Sequence, residues 1–76
     1  MKQFDAFTGK RVFLNVPGVR YVGTFEHEDN FFVYLMDCTV MRKDRAARTP
    51  YAVIRKSRIL EMRIIGGEDD EGYPKA

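Results

Sequence analysis

One cysteine, one histidine and one serine are all that this 76-residue chain sets against chemistries that need several such groups. Cys38 alone excludes an internal disulfide and a cysteine-based metal cluster. His27 stands among Glu26, Glu28 and Asp29 without the usual spacing of a metal-ligand set, so it reads as a surface histidine. No metal and no cofactor are expected. With Ser57, His27 and Cys38 each the single residue of its kind, no nucleophile–base–orienter set is assured, and no glycine-rich phosphate loop occurs. An enzyme is therefore not expected. The chain also lacks a signal peptide and any apolar run long enough to cross a membrane, so the expected setting is cytoplasmic, with no membrane partner.

What remains is short and charged. A chain of this length is one domain. It buries roughly 60% of its extended surface, is marginally stable alone and gains from oligomerisation. The net charge of +2 conceals an asymmetry: residues 1–65 carry 12 Lys and Arg against 7 Asp and Glu, and residues 66–76 one Lys against four acids. A basic body with an acidic tail suits a polyanion binder, and equally a solvated surface with a solubilising end.

Apolar periodicity places the elements. Phe4 and Phe7 share a face of a short N-terminal helix that Gly9 ends. Val12, Leu14 and Val16 alternate as a strand, and Pro17-Gly18 suits the centre of a type II turn into a returning strand with Val19, Tyr21 and Phe25 on one face. Gly23 interrupts that face, as glycine does at a bend or bulge. Asn30 is then followed by Phe-Phe-Val-Tyr-Leu-Met, a third strand apolar on both faces that must be covered on both sides. Residues 41–50 read as a polar, basic connection, Tyr51–Lys56 as a fourth strand, and Arg58–Ile65 as a fifth after a sharp corner at Ser57. The fold class is mainly β: a short helix and five strands in 65 residues, hence a small, strongly bent antiparallel barrel of the SH3-like kind. Residues 66–76 lack periodicity and are expected to be disordered.

Two stretches resemble the Sm/LSm family, including its bacterial Hfq branch. The first runs from Gly23 through Asp29 to Phe31 and Leu35. The second is Ile54-Arg55-Lys56-Ser57-Arg58-Ile59-Leu60-Glu61-Met62, with Lys56 where the family prefers glycine. The similarity covers residues 3–65 and makes residues 1–65 an Sm-like domain. It implies a homo-oligomeric ring of five to eight subunits, joined through the fourth and fifth strands, that binds single-stranded RNA around its pore with loose sequence preference. In that reading Asp29 braces a loop, Phe31 is a stacking platform and Arg55 is a cation beside the base. Asn30 offers an amide to a base, and Lys56 adds charge to the pore rim and alters the turn. Val33 stands where Sm proteins read uracil with asparagine, which speaks against Sm-type uridine recognition; Hfq is also apolar there.

Each role has a structural rival. Phe31 serves equally as a core aromatic, Arg55 as a partner for Asp29, and Asn30 as a bond to its own backbone. Arg42, Lys43, Arg45 and Arg48 form either a solvated face or an anion-binding patch. The alternative function is an SH3-like barrel acting as a structural or protein-interaction ring that binds no RNA.

Overall fold

The computed structural model describes residues 3–65; the acidic segment 66–76, expected to be disordered, lies outside the described residues. Five strands, β1 (Arg11–Val16), β2 (Val19–Glu28), β3 (Phe32–Arg42), β4 (Arg45–Arg55) and β5 (Glu61–Ile64), form one antiparallel sheet. Their order is β4-β3-β2-β1-β5, so the last two strands in sequence are the two edges. The expected Pro17-Gly18 turn joins β1 to β2, with Gly18 at a φ of 81° that a side chain would strain.

A single sheet can enclose a core only by bending, and two irregularities bend this one. The first lies at Gly23, where the β2–β3 register shifts and Asp37 on β3 takes a φ of 52°. A Cβ on Gly23 would lie 2.9 Å from Cys38 Sγ and 3.1 Å from the Met36 carbonyl oxygen, so nothing larger than hydrogen fits there. The Arg11 guanidinium secures the bulge, donating to the Asp37 carbonyl at 3.0 Å and to the Thr24 hydroxyl at 3.2 Å. The second irregularity is a register shift between Phe25 and His27. It inverts the alternation of β2, so His27 faces solvent and Glu28 turns inward.

Val12, Leu14, Val16, Phe25, Val33, Leu35, Cys38 and Ile54 fill the concave side. The expected N-terminal helix is a single 3-10 turn, Asp5–Phe7, too short to bury a stripe of its own. Its flanking rings close the core: Phe4 and Phe7 stack at 5.7 Å, and both meet Phe25 edge-on.

Three expectations need correction. Residues 41–50 are not a connection. β3 continues to Arg42 and β4 begins at Arg45, turning at Lys43-Asp44, and the ladder pairs Arg42 with Arg45 and Thr39 with Arg48. The segment is polar because it is exposed, and polarity without alternation hid the strand. The corner before β5 is a 3-10 turn over Lys56–Arg58, which shortens β5 to four residues. The convex face of β3 is not fully covered: Phe32 and Tyr34 are half-buried and Met36 is exposed, as are Tyr51 and Val53 beside it on β4. Among the described residues β4 pairs only with β3 and β5 only with β1, leaving one border of each open, with Pro50 inside β4.

Gly23→Ala is expected to destabilise the protein by about 1–3 kcal/mol, the usual cost of overpacking, read from urea unfolding. Adding Cys38→Ala should recover part of the loss, because it removes the sulfur but leaves the carbonyl.

Candidate functional site

The loop between β2 and β3 is shaped by one carboxylate. Asp29 Oδ1 accepts the Phe31 and Phe32 amides at 2.8 and 2.7 Å, and Oδ2 accepts the Tyr34 hydroxyl at 2.7 Å. The Asp29 amide in turn donates to the Phe32 carbonyl at 3.0 Å. The Tyr34 hydroxyl, with the two amides, holds the Asp29 carboxyl below its ordinary range and pushes the Tyr34 phenol up. Asp29 is thus the brace of the loop. Its two oxygens serve Phe31, Phe32 and Tyr34 rather than Arg55, whose guanidinium lies 5.6 Å from the Phe32 ring centre, a cation–π distance.

So braced, the loop turns Phe31 outward, 62% exposed, which removes it from the core. Val33, two residues on, is completely buried and presents nothing to a ligand. Phe31 joins Gln3, Asn30, Arg55, Lys56 and Ser57 around an open cleft of about 490 Å³. The Lys56 amide donates to the Phe31 carbonyl at 2.8 Å and locks the two loops together. Four of the five expected contact residues therefore line one cavity, with Asp29 supporting it from behind.

Lys56 has a different position from the one expected. Its ammonium binds Glu28, and the two side chains are only 10% and 2% exposed. Glu28 also accepts the Gln3 and Phe4 amides at 3.1 and 2.7 Å. Lys56 is thus the cationic half of a latch joining the N-terminal segment, the end of β2 and the 3-10 turn, and not a free charge at the rim. Burial pushes the Glu28 carboxyl up, but the Lys56 ammonium and the two amides outweigh it and leave the group below its ordinary value. The lysine does not strain the turn, since it lies outside the left-handed region.

Three contributors escape a reading by residue type. Gln3 lines the cleft only because the latch holds it there, and Ser57 because the corner is a 3-10 turn. Glu28 is invisible because strict alternation from Phe25 points it outward; only the shift before His27 turns it in. His27 stacks flat on Tyr34 at 4.2 Å, with Nδ1 3.7 Å from Glu26 Oε1. At the opposite end of the sheet, Arg42, Lys43 and Arg45 cluster at the β3–β4 turn, whereas Arg48 lies beside Asp37 and Pro50.

No family model matches the sequence, and no curated protein matches it. Solved structures do. A heptameric archaeal Sm protein superposes with a TM-score of 0.70 at 16% identity, over 80% of this chain and 93% of that one. The Pyrococcus abyssi Sm protein in complex with a uridine heptamer gives 0.69 at 20% identity, over 84% and 99%. A chain of the NatC complex bound to CoA gives 0.70 at 11% identity, over 84% and 86%. The fold is Sm-like, as the two motifs implied. Among the described residues no helix is long and apolar enough to cross a membrane.

Because folding lowers the Glu28 pKa, its contribution to stability is fully present above the ordinary value of 4.5. It is lost as pH falls through the lower folded value. Urea unfolding from neutral pH down to about pH 3 should show this slope, and Glu28→Gln should flatten it. The same variant strands the Lys56 ammonium and is expected to cost about 3–5 kcal/mol at neutral pH, much of it recovered by adding Lys56→Met.

Proposed function

We propose that this chain is a ring-forming, RNA-binding protein of the cytoplasm, in which copies join through the open borders of β4 and β5. Single-stranded RNA would bind in the cleft at Phe31 with loose sequence preference. The observation that carries this reading is an exposed aromatic beside an arginine, on a loop that the Asp29 carboxylate braces. A side chain held outward in this way loses little freedom when a base stacks on it.

Phe31 supplies the stacking face, which accepts any base. Arg55, at the end of β4, supplies a planar fork for a phosphate or a base edge. Asn30 contributes an amide at the mouth. Asp29 and Lys56 act behind these groups, one fixing the loop and the other fixing Gln3 and the N-terminal segment. The buried Val33 removes the polar reader of a uracil edge, which fits a tolerant site. The RNA-bound neighbour and the heptameric neighbour, both of the same fold, support the RNA and the ring respectively. The number of subunits lies within the family's range of five to eight.

A second reading has an observation in its favour. The fold also occurs in a chain of the NatC complex, and the exposed row Met36, Tyr51 and Val53 would suit contact with another protein. In that reading the barrel is a subunit or adaptor and the cleft is unused.

Light scattering tests the ring, and RNA titration separates the two readings. A ring gives a mass of five to eight times the 8.9 kDa protomer, and a lone protomer removes the ring. Titration of oligo-U and oligo-A at low salt should then show binding that Phe31→Ala weakens by about tenfold or more, given about 1–3 kcal/mol per stacked base. Arg55→Ala should weaken it as well. Unfolding midpoints should hardly change, because both side chains are exposed. Unaltered affinity in both variants would remove the cleft as the binding site.

A further inference from the structure

A second cluster of cations lies ten residues of strand away from the cleft, about 30 Å at the ordinary rise. The β3–β4 turn carries Arg42, Lys43 and Arg45, and pairing of Arg20 with Met41 brings a fourth cation to the same end from β2. Arg20, Arg42 and Lys43 line one open cleft of about 310 Å³ with Asn15, Gly18, Val19 and Met41. All four cations are exposed, and among the described residues none of them is in an ion pair. Asp44 is the one acid within the turn.

This arrangement has a cost. Arg42 and Arg45 are direct cross-strand partners, and like charges placed so oppose one another. At the other end of the molecule the chain neutralises its buried Lys56 with Glu28, and here four cations face the single acid Asp44, three of them around a shallow opening. No aromatic ring lines this opening; the rings nearest the hairpin cations, Tyr21 and Tyr51, belong to the adjoining cleft that Arg42 and Arg45 also border. Guanidinium forks without a stacking surface suit phosphate oxygens and read no base.

We propose that the β3–β4 hairpin end is a second nucleic-acid surface, one that grips the phosphodiester backbone through Arg20, Arg42, Lys43 and Arg45 without reading sequence. It rests on the reading of the chain as an RNA-binding protein but does not use the Phe31 cleft. A double-stranded segment can therefore be held at this end while unpaired bases occupy the other.

A blunt RNA duplex tests it, because paired bases cannot stack on Phe31. The full chain should bind a duplex of about 20 base pairs at low salt, with affinity falling steeply as salt rises. The triple variant Arg42→Gln, Lys43→Gln, Arg45→Gln should bind it at least about tenfold more weakly. Its salt slope should be shallower by about one unit for each phosphate that is no longer neutralised. Phe31→Ala should bind the duplex as the parent does, and the triple variant should keep its affinity for short oligo-U. Equal duplex binding by parent and triple variant, or no duplex binding by the parent, overturns the proposal. So does binding to anionic lipid vesicles in place of duplex. If the triple variant does not fold, Arg20→Gln alone must still lower duplex affinity and slope. Loss of oligo-U binding with intact, hairpin-dependent duplex binding would sink the cleft and leave this surface standing.

Discussion

A lone five-stranded sheet has to make an interior out of one of its own faces. Here that is achieved where β2 and β3 touch at Gly23, with a sulfur on one side of the missing Cβ and a carbonyl oxygen on the other. The left-handed Asp37 opposite and the Arg11 guanidinium that ties it to β1 belong to the same device. Once the sheet folds back there, Val33 and Leu35 meet Val12 and Leu14, and the core becomes a single cluster. The next register shift, at Phe25 and His27, follows within the same strand and turns a glutamate toward the interior. The latch to Lys56, the seat of the N-terminal segment and the position of Gln3 all depend on that reversal.

The strand pattern was readable wherever one face is buried. β1 carries Val12, Leu14 and Val16 on its core face although Phe13 between them is buried as well, the Pro17-Gly18 turn declares itself, and Gly23 marks the bend by the absence of a side chain. The sequence locates both edge strands but not their ends: the expected Tyr51–Lys56 is the second half of β4, and the expected Arg58–Ile65 shrinks to Glu61–Ile64. The hairpin end Arg42–Arg48 is not legible as strand, because a ladder exposed on both sides imposes no alternation on its sequence. The same blindness affects any position downstream of a bulge. Glu28 and His27 exchanged faces, and nothing in their neighbours' polarity reports it.

Within the site, the residues of the two motifs came together, but their work is divided differently from what residue type alone suggests. An acid beside an aromatic and an arginine invites an ion pair, yet Asp29 is saturated by two amides and a phenol. A lysine in place of glycine looks like added surface charge, yet it is drawn inward by a carboxylate that is itself buried. Desolvation explains only the second: the buried Glu28 carboxylate draws in an ammonium, whereas Asp29 is exposed and takes its donors from the turn it closes. The groups left over, Phe31 and Arg55, face outward because their neighbours have already been satisfied.

Pro50 lies within β4, whose outer border pairs with no strand among the described residues. Proline in a sheet keeps its nitrogen on the unpaired side, where it offers no hydrogen to an incoming strand. The open border is thereby divided into two short stretches, Arg45–Thr49 and Tyr51–Arg55, each close in length to the four residues of β5. A chain with two open edges is exposed to runaway fibrillar stacking, and this one residue acts as a gatekeeper, admitting a short strand and refusing a long one.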